Sequence, residues 1–170
     1  DEDRAGEAAV LHALASISIT KNEFEAAHLK LQRIAEISDG LRDLRGLASA
    51  LQEMARLDTI RRDYEAARPR LIESLQLMQK LGDRTGEAVV LFNLASLSLE
   101  KGDLALADQE FQKALSLARE NGDRKGEAAI LHSLGLIGSQ AGEKEKAMEH
   151  FQEALRIFQD LADRSGEAGA

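Results

Sequence analysis

The sequence of 170 residues has no cysteine, no tryptophan and a single proline, and aromatic residues make up only 4% of it. The lack of cysteine excludes a disulfide framework, a thiolate zinc site and a cysteine nucleophile. No apolar run approaches the roughly 18 residues that a membrane-spanning helix needs, and the acidic start at residues 1–3 is unlike a signal peptide. We therefore expect a cytoplasmic protein that makes no contact with a membrane.

Charge and apolar content favour a folded chain that avoids nucleic acid. There are 30 acidic and 22 basic residues, and the net charge of −8 disfavours binding to nucleic acid or anionic lipid. Hydrophobic residues make up 44% of the chain and charged residues 31%, a balance that supports a buried core. Thirteen glycines beside one proline predict many short helices joined by tight corners.

A motif of the form Asp-Arg-x-Gly-Glu-Ala recurs along the chain. Four copies and a degenerate fifth place their glycines 40 residues apart, at Gly6, Gly46, Gly86, Gly126 and Gly166. A fixed period of this length is typical of a repeat array. The period predicts a single array over residues 1–170, with repeats at 3–42, 43–82, 83–122 and 123–162 and the start of a fifth repeat at 163–170.

Apolar residues in both halves of each repeat recur with helical spacing. In the first half, Val10, Leu14 and Ile17 have counterparts in every later repeat, and this broad stripe predicts a helix buried on two sides. The second half has one apolar and one charged face, so we expect it to be buried on one side only. The motif glycine falls in the first turn of a helix, where we infer that the preceding helix crosses too closely for a side chain.

The pattern Leu91-x-x-Leu94-Ala95, followed by Gly102-Asp103, Ala107, Phe111 and Ala114-Leu115, resembles the tetratricopeptide repeat in its 40-residue variety. The resemblance spans essentially the whole chain. It implies an all-α fold, a right-handed superhelical solenoid of antiparallel helix hairpins. One departure is that the bulky aromatic residue late in the family's first helix is replaced by Ser18, Asp58, Ser98 and Gly138.

No motif of a known catalytic or cofactor site occurs. The sequence has no Walker-type loop, no His-Glu-x-x-His and no Gly-x-Ser-x-Gly. None of the four histidines has a second histidine four residues later, which is the spacing of a helical zinc site. We therefore expect no enzyme activity, no cofactor and no metal.

The resemblance implies that the first helices of the repeats line a concave surface. Helical spacing then predicts which side chains face this groove: His12, Ser16, Gln52, Arg56, Phe92, Asn93, Ser96, Leu99, His132 and Leu136. Phe92, Leu99 and Leu136 are apolar where a solvated face would be polar, so they either anchor a peptide or helix or are partly buried within the array.

Two functions remain after these exclusions. One is a protein-interaction scaffold that binds a peptide or helix in the groove, and the other is a sensor region of a larger signalling or transcription-regulatory protein. Phe151, Leu155 and Phe158 are expected to be incompletely covered in the C-terminal repeat, and such a surface favours a dimer or end-to-end packing. Further repeats of a longer native chain are the alternative cover for these residues.

Overall fold

The computed structural model describes residues 2–167, and these form eight helices and no strand. The helices are α1 (Glu2–Thr20), α2 (Phe24–Gly40), α3 (Leu44–Ile60), α4 (Tyr64–Leu81), α5 (Arg84–Lys101), α6 (Leu104–Glu120), α7 (Arg124–Ala141) and α8 (Lys144–Glu167). The all-α fold class is as the sequence predicts. Helices α1 and α2, α3 and α4, α5 and α6, and α7 and α8 pack against each other as hairpins.

The corners between helices share one backbone conformation. Each contains a residue with positive φ two residues before the first residue of the next helix: Asn22, Arg42, Arg62, Gly82, Gly102, Gly122 and Gly142. The aspartate that follows caps the new helix in several places, as where Asp43 Oδ1 accepts a hydrogen bond of 2.9 Å from the Gly46 amide. A capping aspartate satisfies one of the free amides of the first turn and therefore fixes where the helix begins.

The helices group into two compact units, Asp1–Asp83 and Arg84–Ala170. In the N-terminal unit, a single apolar cluster joins α1, α2 and α3 and includes Ala15, Leu31 and Met54. In the C-terminal unit, Phe111 of α6 and Leu134 of α7 are almost completely buried. Glycine lets α7 and α8 approach closely here, because a Cβ on Gly135 would lie 2.6 Å from the Phe151 ring.

The reason inferred for the motif glycines needs correction. The three atoms nearest to a Cβ on Gly126 would all belong to the carboxylate of its own capping residue, Asp123. At Gly46 it would meet both the Asp43 carboxylate and Ser38 Oγ of α2, whereas at Gly6 it would meet nothing within 4 Å. At Gly46 and Gly126 the glycine therefore makes room for the capping aspartate, and at Gly46 the preceding helix also comes close, whereas at Gly6 no neighbour among the described residues requires a glycine.

Two further expectations differ from the structure. The first helix of a repeat is buried on two sides in α3 and α7, but in α1 Val10, Leu14 and Ile17 are 43–61% exposed. Helix α8 continues through the last motif as far as Glu167, so residue 163 does not begin a new helix and Gly166 lies within α8. Residues 168–170, the rest of the expected fifth repeat, lie outside the described part of the chain.

Candidate functional site

A cavity of about 270 Å³ in the N-terminal unit brings together three of the predicted groove residues. His12 and Ser16 of α1 and Arg56 of α3 line it. The apolar part of the lining comes from Ala15, Ile19 and Leu31. These residues meet because α2 packs against both α1 and α3, so that side chains from two hairpins reach the same opening.

The polar side of this cavity carries an ion pair. Glu53 Oε2 accepts hydrogen bonds from Arg56 Nε at 3.1 Å and from its second guanidinium nitrogen at 2.9 Å. Both side chains are partly exposed, and the two residues are one turn apart on α3. An exposed ion pair contributes little to stability, so the guanidinium can donate to a carboxylate or carbonyl oxygen of a ligand at small cost.

The C-terminal unit has a smaller and more apolar cavity of about 190 Å³. Phe92 and Val89 of α5 line it together with Ala118 of α6 and Ile130 of α7. Phe92 is half-buried, and its ring meets Phe111 edge to face at a centroid distance of 5.4 Å. Phe92 therefore packs within its hairpin and also forms a wall of a surface cavity. Both interpretations made from the sequence, partial burial and an anchor for a ligand, stay open.

The other predicted groove residues lie outside these two cavities. Gln52 is half-buried and donates to the Ala48 carbonyl at 3.3 Å, while Ser96 donates to the Phe92 carbonyl at 2.9 Å. His132 is exposed, with its ring 5.6 Å from that of Phe151. Asn93 and Leu99 are half-buried, and Leu136 is exposed.

Sequence reasoning missed a buried polar contact that recurs inside the hairpins. Ser18, Asp58 and Ser98 are all buried, and each meets a polar side chain exactly twelve residues later. Lys30 donates to Ser18 Oγ at 3.2 Å, Arg70 pairs with the Asp58 carboxylate, and Ser98 donates to Glu110 Oε2 at 2.7 Å. The signal was present in the sequence, because these are the positions where the chain departs from the family's aromatic residue.

In the second hairpin this contact is the ion pair of Asp58 and Arg70, and the pKa of Asp58 departs from its ordinary value. Burial raises the pKa of the Asp58 carboxyl above its ordinary value, and the nearby charges of Arg70 and His28 act in the opposite direction. A buried carboxylate is costly unless it is paired, so Arg70 is the group that keeps Asp58 in its charged form. In the fourth hairpin, the same two positions hold Gly138 and His150, and His150 Nδ1 is buried without a hydrogen-bond partner among the described residues.

The described part of the chain offers no arrangement for metal chemistry. Within residues 2–167, no group of three or more histidine, aspartate or glutamate side chains is placed to hold a metal ion. Among the same residues, none of the helices is long and apolar enough to cross a membrane. The cavity of the N-terminal unit presents the Arg56 guanidinium, and both cavities have apolar walls.

Solved structures of repeat proteins resemble this fold. BtubC (BKLC) from P. vanneervenii matches with a TM-score of 0.82 and 22% identity over 91% of this chain and 64% of that one. A signal-transduction ATPase of the STAND type with a tetratricopeptide repeat sensor, from Pyrococcus horikoshii, matches with 0.82 and 22% over 93% of this chain. A Rap protein complexed with competence and sporulation factor matches with 0.83 and 18% over 96% of this chain.

These likenesses concern the fold alone, and this chain spans only 25% of the ATPase and 45% of the Rap protein. No curated protein matches the sequence. The family model of the tetratricopeptide repeat matches residues 46–120 and 90–160, which together are more than half of the chain. The chain therefore belongs to the tetratricopeptide repeat family.

Proposed function

We propose that this chain is a non-catalytic scaffold that binds a peptide or helix of a partner protein along the first helices of its repeats. The observation that carries the proposal is the cavity in the N-terminal unit, where His12, Ser16 and Arg56 from two different hairpins meet around one opening. Membership of a family whose repeats commonly serve protein interaction supports it. A single array over all four repeats, a cytoplasmic location and the absence of nucleic-acid binding stay predictions.

The chemistry of the cavities indicates what a ligand would present. Arg56 and exposed His12 favour an acidic or carbonyl-bearing group in the N-terminal unit, held beside Ile19 and Leu31. The cavity at Phe92 and Val89 favours an apolar side chain. A segment with an acidic residue is therefore the kind of ligand that the cavity of the N-terminal unit would select. A segment with an apolar anchor is the kind that the cavity of the C-terminal unit would select.

The test begins with an array of short synthetic peptides of random sequence, from which the strongest binder is taken into fluorescence anisotropy. Arg56→Ala is expected to weaken that binder about tenfold, the scale of one charge-assisted hydrogen bond. Arg61→Ala is the matched control, because Arg61 is similarly exposed and is also paired with a glutamate, Glu25, away from the cavity.

A second pair of variants tests the apolar cavity without touching the core. Val89→Glu places a charge on a wall residue that is 48% exposed, whereas Leu29→Glu places one on α2 at a residue that is 66% exposed. For a peptide bound in the C-terminal unit, only Val89→Glu should lower the affinity. Unchanged binding in both Arg56→Ala and Val89→Glu would move the ligand to another surface and overturn the proposal.

A sensor region of a larger regulatory protein is the second candidate. It is favoured by the likeness to a tetratricopeptide repeat sensor within a much longer ATPase. A sensor differs from a passive scaffold in that ligand binding changes the conformation of helices that the ligand does not touch. Hydrogen exchange with and without the bound peptide separates the two, since a scaffold would gain protection only around the occupied cavity.

A further inference from the structure

Helices α1 and α8 each expose an apolar face, which we call the α1 face (Val10, Leu14 and Ile17) and the α8 face (Phe151, Leu155 and Phe158). On the α1 face, the exposed fractions are 61%, 43% and 50%. On the α8 face, Leu155 is 57% and Phe158 is 43% exposed, and Phe151 is half-buried. Isolated apolar residues on a surface are ordinary, but a row of them along one helix marks a site of association.

The repeat register shows what each face is shaped to meet. Forty residues before the α8 face lie Phe111, Leu115 and Ala118 of α6, and 120 residues after the α1 face lie Ile130, Leu134 and Ile137 of α7. All six of these residues are buried, and α6 packs directly against α7. The α8 face therefore repeats the α6 side of this internal junction, and the α1 face repeats its α7 side.

The junction between α2 and α3 follows the same rule in the N-terminal unit. Leu31 of α2 stands at the position of Phe151, and Met54 and Leu57 of α3 stand at the positions of Leu14 and Ile17. These three residues pack in one core cluster. The cluster at the α2–α3 junction, and the burial of the corresponding residues of α6 and α7, indicate that a second helix of this sequence pattern receives a first helix at these positions.

The α8 face also has room for side chains. A groove of about 440 Å³ lies along it, lined among others by Met148, Phe151 and Leu155. Met148 stands where α6 has Asp108, whose carboxylate pairs with Lys146 at 3.8 Å. Helix α8 therefore has an apolar residue where α6 has a charged one, which suits a contact that excludes water.

We propose that the α8 face of one copy of this chain docks on the α1 face of a second copy, so that copies associate head to tail. Such a contact is heterologous and continues from copy to copy unless it closes into a ring. Both faces lie outside the cavities at His12 and Phe92, so the contact is independent of peptide binding. The sequence predicts self-association through the C-terminal repeat. The proposal adds that this repeat docks on the α1 face of another copy.

Charge distinguishes this contact from the internal junction that it imitates. Arg119 of α6 binds buried Glu127 of α7 at 2.7 Å, but the corresponding residues at the two ends are Gln159 and Glu7. Residues 1–40 hold four basic and eight acidic side chains, and residues 122–170 hold six and nine, so the two ends repel each other weakly. Added salt should therefore strengthen the association, by screening this repulsion and by favouring apolar burial.

Sedimentation of the whole chain from low micromolar to near-millimolar concentration tests the proposal. The average mass is expected to rise beyond twice the 18.5 kDa of one chain, because a head-to-tail contact does not stop at two copies. Leu14→Glu and Leu155→Glu should each stay monomeric. An equimolar mixture of these two variants should form a dimer and nothing larger, since each retains the face that the other has lost.

The matched control is Leu29→Glu, which adds the same charge at an exposed leucine outside both faces and should associate like the wild type. Gln159→Arg should tighten the association several-fold by restoring the Arg119–Glu127 contact between copies, and adding Glu7→Gln should remove that gain. Circular dichroism confirms that each variant remains helical.

Three outcomes would overturn the proposal. A wild-type chain that stays monomeric throughout shows that something other than a second copy covers the two faces. Self-association of Leu14→Glu to a dimer shows an α8-to-α8 contact instead. A mixture of Leu14→Glu and Leu155→Glu that remains monomeric shows that the two faces do not recognise each other.

Discussion

The two units of this chain share a 40-residue frame but form their corners from different residues. In the N-terminal unit, the left-handed corner residues include Asn22, Arg42 and Arg62, with φ between 56° and 61°. In the C-terminal unit they are all glycine, at Gly102, Gly122 and Gly142. A side chain in this conformation costs about 1–2 kcal/mol because its Cβ crowds the backbone. The corner geometry is therefore imposed by the packing of the helices, and glycine only makes it easier.

The units also differ in the polar contact enclosed by their hairpins. In the N-terminal unit, Asp58 and Arg70 form an ion pair whose side chains are 7% and 27% exposed. In the C-terminal unit, Ser98 and Glu110 occupy the same positions and are both buried. The frame thus accepts either two opposite charges or a hydroxyl and a carboxylate, provided that the two side chains satisfy each other. These two hairpins share complementarity at this place and not a particular residue, whereas the fourth hairpin, with Gly138 and His150, lacks such a pair among the described residues.

Breaking the ion pair of Asp58 and Arg70 should change the free energy of unfolding more than any other exchange between the two units. Arg70→Met leaves the Asp58 carboxylate buried without its main counter-charge and should lower the free energy of unfolding by about 2–3 kcal/mol at neutral pH. The pKa of Asp58, already raised by burial, should rise further because Arg70 no longer lowers it. An acid with a raised pKa in the folded state destabilises that state at high pH, so the deficit should shrink as the pH falls through this pKa.

Urea denaturation of the wild type and of Arg70→Met at several pH values measures this effect. The matched change in the C-terminal unit is Glu110→Met, which removes a hydrogen bond to Ser98 but leaves no buried charge behind and should cost about 1 kcal/mol. If Arg70→Met and Glu110→Met cost the same at every pH, the charges of the N-terminal hairpin have no special role.

The fold was predictable because its signals repeat. The period of 40 and the helical spacing of apolar residues specify hairpins without knowledge of any contact, and the helices begin and end close to the predicted corners. The exposure of Val10, Leu14 and Ile17 was not predictable from periodicity, because the same pattern is buried in α3 and exposed in α1. Burial depends on a neighbouring helix, and the sequence of one helix does not contain that neighbour.

The candidate site was predictable only in outline. The resemblance and helical spacing together put His12, Ser16 and Arg56 among the expected groove residues, and in the structure these three line one cavity. It did not show that Arg56 is paired with Glu53 or that Phe92 leans on Phe111, since side-chain partners depend on rotamers and on helix crossing. The pairs twelve residues apart, such as Ser18 and Lys30, were visible as departures from the family pattern but needed the structure to join them.

Exchanging corner residues between the units should change the free energy of unfolding less than breaking the ion pair does. Arg62→Gly should raise the free energy of unfolding by about 0.5–1 kcal/mol, because relief of the left-handed strain exceeds the added flexibility of the unfolded chain. Gly102→Arg, at φ 85°, should lower it by about 1 kcal/mol or more. Thermal and urea unfolding of both variants measure the pair. Equal and negligible effects would mean that the corners of the two units are equivalent despite their residues.

The smallest expected effect concerns the first corner of the N-terminal unit, where Glu23 is the N-cap residue of α2 but its side chain makes no capping hydrogen bond. Asp63 has similar backbone angles and accepts from the Ala66 amide at 3.1 Å. Glu23→Asp should therefore create the missing cap and raise the free energy of unfolding by about 0.5 kcal/mol, while Asp63→Glu should lower it by a similar amount. Urea unfolding of both variants, and of the two combined, measures the exchange. If Glu23→Asp gains nothing while Asp63→Glu loses stability, the longer side chain at Glu23 is already adequate for that corner, and the two corners of the N-terminal unit differ in what they require of their capping residue.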